Sequence, residues 1–127
     1  MYRNHTIAVV VPAYNEAGLV GDVIRTVPDY VDRVYVVDDA STDDTWQEIT
    51  DAAATVNGDP DPMADGFRDR VVAIQHDRNR GVGGAIKTGY KRAREDRLDV
   101  TAVMGGDGQM RPEGLSAVLD PVVAGEA

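Results

Sequence analysis

Thr6-Ile7-Ala8-Val9-Val10-Val11, running straight into Pro12-Ala13-Tyr14-Asn15-Glu16, decides the fold class. An unbroken apolar run rich in β-branched residues, with no polar alternation, predicts a strand buried on both faces. Outward from it, Val20, Val23, Ile24 and Val27 recur at helical spacing, and Pro28 closes that helix. Val34 to Val37 gives a second strand. Ser41, with Asp44 three residues on, reads as a capping box opening a helix whose inner face is Trp46, Ile49, Ala53 and Val56. Val71 to Ile74 is a third strand, followed by a helix expected to pack Val82, Ala85, Ile86, Tyr90 and Ala93 inward. Val100 to Met104 is a fourth strand, and Pro112 suits the first turn of a last helix with Leu115, Val118 and Leu119 inward. Strands and helices that alternate in this way predict an α/β fold, a parallel sheet joined by right-handed crossovers. Asn57 to Arg70, with Asp59-Pro60-Asp61-Pro62 inside it, fits neither period and reads as an exposed loop.

The chain of 127 residues is read as one domain, 1–127, with a net charge of −9. Aspartate outnumbers glutamate 17 to 5, and arginine outnumbers lysine 11 to 2, the lysines being Lys87 and Lys91. So acidic a chain repels nucleic acid, and the Asp-rich, Lys-poor balance resembles that of proteins from high-salt cytoplasm, where self-repulsion is screened. There is no cysteine, hence no disulfide framework and no thiolate metal site. The apolar run from Ile7 is far too short to span a bilayer, and Met1-Tyr2-Arg3-Asn4-His5 lacks the apolar core of a signal peptide. A cytoplasmic location, or a peripheral one at the inner face of the membrane, is expected, with no transmembrane segment.

Four polar segments each follow an apolar run: Pro12 to Glu16, Val37-Asp38-Asp39-Ala40-Ser41, Asn79-Arg80-Gly81-Val82-Gly83-Gly84, and Gly105-Gly106-Asp107-Gly108-Gln109. In a parallel sheet, ligands bind outside the carboxyl ends of the strands, so the four converge on one crevice. Tyr14 offers a flat face for a base, and Glu16 can accept from base or ribose. Of Asp38 and Asp39, whose side chains alternate in direction, one can bond backbone while the other faces the crevice. The glycines from Gly81 to Gly84 permit close approach of an anion or nucleotide at a helix N-terminus, or tight helix packing. They are not a Rossmann fingerprint, because isoleucine stands where the third glycine is required. Arg78, Arg80 and Lys87 are the cations nearest a diphosphate by sequence. Asp107 with Gln109 can present oxygens to a hard divalent cation. His5 and His76 have no metal spacing and read as structural.

Taken in this order, the segments resemble the family 2 glycosyltransferases. The closest likeness is to the dolichyl- and polyprenyl-phosphate hexosyltransferases, the group of dolichyl-phosphate mannose synthase. The resemblance implies a nucleotide-diphospho-sugar transferase fold (GT-A-like) with helices on both faces of the sheet. It also implies a UDP- or GDP-hexose donor, Mg or Mn as cofactor, and a lipid phosphate acceptor. Carried over residue by residue, Pro12, Ala13, Tyr14 and Glu16 surround base and ribose. Val37, through its backbone, and Asp39 complete that pocket, leaving Asp38 structural. Gly106 and Asp107 are also expected among the nucleotide-binding residues. The Asp-x-Asp metal motif falls on Gly105-Gly106-Asp107, with glycine in place of the first aspartate, so Asp107 is the expected direct ligand, assisted by Gln109.

The resemblance covers nearly all of this chain but about the donor-binding half of a typical member, so the sheet is expected to be truncated after the metal-motif strand. In an inverting member the carboxylate base follows the metal motif. Here Glu113 and Asp120 fall on the last helix and Glu126 at the end, so no residue stands out as that base. The expected activity is therefore hexose transfer by a glycosyltransferase or its donor-binding part. The alternative is a nucleotide-sugar-binding protein or subunit without catalysis. A nucleotidyltransferase would need a Gly-rich, Arg-containing loop after the first strand, and Pro12 to Glu16 is not one.

Overall fold

The computed structural model describes residues 5–57 and 70–105. In chain order these form β1 (Ile7–Ala13), α1 (Val20–Arg25), β2 (Arg33–Asp38), α2 (Thr45–Asn57), β3 (Val71–Gln75), α3 (Gly81–Glu95) and β4 (Val100–Val103). The four strands make one sheet in the order β3-β2-β1-β4, every pairing parallel. The loop expected over 57–70 and the helix expected at Pro112 fall largely or wholly outside the described residues.

The topology follows from handedness. From β1 the chain steps outward through α1 to β2 and through α2 to β3, then returns across the sheet through α3 to β4 on the far side of β1. Right-handed crossovers running in opposite directions put their helices on opposite faces. Side-chain parity shows the two faces. Ile7, Val9, Val11 and Ala13 join Val20, Ile24, Ile49 and Ala52 in the larger core, whereas Ala8 joins Tyr35 and Ala93 in the smaller one. Ile7 to Val11 are all fully buried, which is why that run shows no polar alternation.

β1 runs further than the sequence pattern suggests, through Pro12 to Ala13. The Val10 carbonyl accepts from Met104 of the β4 side, and that of Ala13 accepts from Asp39 of the β2 side. Pro12 shares the parity of Val10, so its missing N–H points past the end of β4, where no ladder bond is lost.

α3 departs from its expected packing. Val82 is 67% exposed and Tyr90 43% exposed, and the face against the sheet is Ala85, Gly89 and Ala93. The cause is the bulk already on the sheet, Val10 and Tyr35, which small residues on the helix complement. A Cβ placed on Gly89 would lie 2.3 Å from Val10 Cγ1, so only glycine allows this approach.

Candidate functional site

The loops leaving β1 and β2 are stapled together. Asn15 and Ala40 both adopt left-handed backbone, with φ of 51° and 62°. Asparagine tolerates that region, whereas alanine is held there at a cost of about 1–3 kcal/mol. The Asn15 amide donates to Ser41 Oγ at 2.9 Å, the Thr42 amide donates to Asn15 Oδ1 at 2.8 Å, and the Glu16 amide donates to Thr45 Oγ1 at 2.8 Å. Ser41 therefore does not cap α2 as expected. Its hydroxyl donates to Asp38 Oδ1 at 2.5 Å, and α2 starts at Thr45, whose amide donates to Asp43 Oδ1 at 2.9 Å. The helix begins later because Ser41 is engaged by the carboxylate at the end of β2. Asp38 is fully buried and spent on this loop, with Gln75 Nε2 donating to its Oδ2 at 3.4 Å.

Asp39 points elsewhere. It is 2% exposed, and its Oδ1 lies 2.9 Å from His76 Nδ1 and accepts from the Arg80 amide at 2.8 Å. The Asn79 side chain donates to the Asp39 carbonyl and accepts from the Gly81 amide at 3.1 Å, fixing the entrance to α3. Gly81 has a φ of 83°, which this entrance requires and an L side chain would resist. Asp39 thus sits as an anion at the N-terminus of α3, where helix amides favour negative charge. Burial alone would raise its carboxyl. The His76 ring and the Arg80 and Gly81 amides outweigh that and hold it below the usual carboxylate range.

Beside this carboxylate lies a cleft of about 280 Å³, lined by Pro12, Ala13, Tyr14, Glu16, Asp39, Asn79, Gly81, Val82 and Ala85. The fold brings five of the expected site residues, Pro12, Ala13, Tyr14, Glu16 and Asp39, around one space. Val37 is fully buried in β2, paired with Pro12 on one side and Ile74 on the other, and does not line it. Gly106, Asp107 and Gln109 lie outside the described residues. Among the described residues, no group of three potential ligands could hold a metal ion.

Among the described residues, the cleft lining holds two carboxylates, a half-exposed tyrosine ring and no cation. Such walls suit the N–H and O–H donors of a base and ribose and disfavour phosphate. Two of the cations expected near a diphosphate, Arg80 and Lys87, are engaged elsewhere. Arg80 contributes its amide while its guanidinium pairs with Asp77 at 3.5 Å. Lys87 lines a separate groove with Tyr90, Lys91, Arg94, Leu98 and Thr101. His76, read from the sequence as structural, is buried against Asp39. The position of His76 one residue past the end of β3 was the available signal, since the same strand-end rule had selected Asp38 and Asp39.

Known proteins with this arrangement give the cleft a family. The chain is 30% identical over 118 residues to the UDP-N-acetylglucosamine–dolichyl-phosphate N-acetylglucosaminyltransferase of Methanococcus voltae, covering 92% of this chain and 47% of that protein. It thus spans about half the length of that relative. The solved mannosyltransferase PcManGT of Pyrobaculum calidifontis, in complex with GDP-Man and Mn2+, superposes with a TM-score of 0.68 at 23% identity, covering 91% of this chain and 31% of that one. Glucosyl-3-phosphoglycerate synthase of Mycobacterium tuberculosis, with Mg2+ and UDP, gives a TM-score of 0.67 at 20% identity over 97% of this chain and 41% of that one. These likenesses confirm the nucleotide-sugar transferase architecture, with helices on both faces of a parallel sheet. Residues 8–127 match the family described as Glycosyl transferase family 2, a span that takes in all four strands and both loops of the cleft, and the chain belongs to that family.

Proposed function

We propose that the cleft binds the nucleoside end of a UDP- or GDP-hexose, and that the chain is the donor-binding part of an enzyme moving that hexose to a dolichyl or polyprenyl phosphate. The observation that carries the reading is the cleft wall, in which Asp39 and Glu16 present acceptors beside the Tyr14 ring and no cation stands among the described lining residues. Base and ribose bind in this space, the ring of Tyr14 against the base. Phosphate charge then has to be met from outside the described cleft, by a divalent cation held by Asp107 with help from Gln109. Both structural relatives carry a nucleotide with Mn2+ or Mg2+, which supports a divalent metal. The lipid acceptor rests on the activity of the Methanococcus voltae relative and on the resemblance. No described helix is long and apolar enough to cross a membrane.

The test is a titration in multimolar KCl with UDP and with GDP, each with and without Mn2+, following thermal unfolding. A ligand that binds only the folded state stabilises it by about 2.7 kcal/mol at a hundred times its Kd. A metal-dependent rise with one nucleotide supports the reading and identifies the base. A folded protein that responds to neither nucleotide, with or without metal, overturns it.

A further inference from the structure

Asp39 is held from beneath by a short chain of hydrogen bonds that ends in α3. His76 Nδ1 is 2.9 Å from Asp39 Oδ1, with both side chains under 5% exposed, and His76 Nε2 is 2.8 Å from Thr88 Oγ1. Thr88 Oγ1 in turn lies 3.0 Å from the Gly84 carbonyl. A carboxylate only accepts, so the ring carries a proton on Nδ1. The hydroxyl of Thr88 serves Nε2 either as acceptor, while donating to Gly84, or as donor. Both nitrogens are therefore engaged, and the ring plane is fixed between β3 and α3. With the His76 and Arg80 donors both on Oδ1, the carboxylate cannot rotate without breaking two hydrogen bonds, the one to His76 buried.

We propose that His76 is the positioning residue of the nucleotide cleft, holding Asp39 as a fixed, charged, accept-only group against the base. The proposal rests on the nucleotide reading above and deepens it. It has a consequence for ligand chemistry. A carboxylate that can neither turn nor take up a proton welcomes a ring N–H, as uracil and guanine present, and opposes a ring-nitrogen lone pair, as cytosine and adenine present. Freed from His76, the same group is held by the Arg80 amide alone and can rotate, so the discrimination relaxes. Affinity and selectivity then fall together, although His76 never touches the nucleotide.

Two substitutions separate positioning from packing. The amide nitrogen of asparagine is attached at Cγ, as Nδ1 is, so His76→Asn keeps the donor to Asp39. The amide nitrogen of glutamine is attached one bond further out, as Nε2 is, so His76→Gln reaches Thr88 and leaves Asp39 unserved. Kd is measured by calorimetry for UDP, GDP, CDP and ADP on the wild type and both variants, with thermal unfolding checking the fold of each. His76→Gln is expected to weaken the preferred nucleotide about 10- to 100-fold, the worth of a hydrogen bond to a charged group. It should also shrink the ratio of the CDP or ADP Kd to that of the preferred nucleotide. His76→Asn should restore both. Equal losses in the two variants with an unchanged ratio, or no loss in His76→Gln, overturn the positioning role while leaving the cleft in place. A wild type that binds no nucleotide overturns the reading beneath it.

Discussion

Gly89→Ala is a single methyl group placed where the structure has no room for it. The added Cβ would meet Val10 Cγ1 at 2.3 Å, Cγ2 at 2.7 Å and Cβ at 3.0 Å, against about 3.5–4.0 Å for carbon atoms at rest. Val10 cannot yield, because it is fully buried in β1 and paired on both sides, with Tyr35 of β2 and Val103 of β4. The helix must move outward by an ångström or more. Overpacking costs about 1–3 kcal/mol, a 2.3 Å contact falls at the upper end, and alanine returns about 1 kcal/mol of helix propensity, so a net loss of about 2 kcal/mol is expected. Val10→Ala alone should cost about 2 kcal/mol in lost burial and cavity. The double variant should cost less than the sum by at least about 1 kcal/mol, because one change makes the room the other needs. Urea unfolding of the four proteins at fixed KCl measures the cycle. Nucleotide affinity should follow the same order, since α3 carries Gly81, Val82 and Ala85 into the cleft wall. A Gly89→Ala protein as stable as the wild type would refute this seating of α3 on β1.

Tyr14→Ala should weaken nucleotide binding by about 1–3 kcal/mol if the half-exposed ring stacks on the base, and an unchanged calorimetric Kd would leave it as a packing residue. Asp107→Ala should abolish the Mn2+-dependent part of the nucleotide-induced rise in Tm while leaving the Tm without ligand unchanged, and a metal dependence that survives removes Asp107 from the site. Tyr35 donates to Asp96 Oδ2 at 2.6 Å, and burial followed by that carboxylate pushes its phenol from 10.0 up to about 12. Between those values the folded state keeps a proton that the unfolded chain has lost, so stability falls as pH rises above 10. Tyr35→Phe should cost about 2 kcal/mol at neutral pH, the worth of a hydrogen bond to a charged group, and flatten that alkaline decline. Urea midpoints from pH 8 to 11.5 with parallel slopes in both proteins would contradict it.

The strands were legible because burial on two faces leaves a plain mark, an apolar run without alternation, and Ile7 to Val11 carries it. The cleft was legible because chemistry collects where strands end, which selected Tyr14, Glu16 and one of Asp38 and Asp39, and the family resemblance then pointed to Asp39. What escaped depended on distance across the fold. Val82 and Tyr90 have the size and spacing of an inner helix face, yet the sheet beneath α3 already carries Val10 and Tyr35, so alanine and glycine take the contact instead. Ser41 has the chemistry of a helix cap, but Asp38, close in sequence, claims its hydroxyl. Histidine spacing could not reveal His76, whose partners stand 37 residues before it and 12 after it and meet it only when β2, β3 and α3 assemble.

α3 joins these observations into one physical unit. The small face of the helix lets it settle on β1, and that seating brings its first amides within reach of Asp39 at the end of β2. Asp39 answers the N-terminal charge of the helix, His76 fixes Asp39 from the end of β3, and Thr88 returns the chain of bonds to α3 one residue before Gly89. A methyl group at Gly89 and a lost donor at His76 therefore act on the same carboxylate by different routes, one moving the helix and the other freeing the side chain. The two routes are separable. Displacement of α3 should weaken every nucleotide alike, because the cleft wall itself retreats. Release of Asp39 should erode the preference among bases, because what changes is the chemistry facing the ring nitrogen.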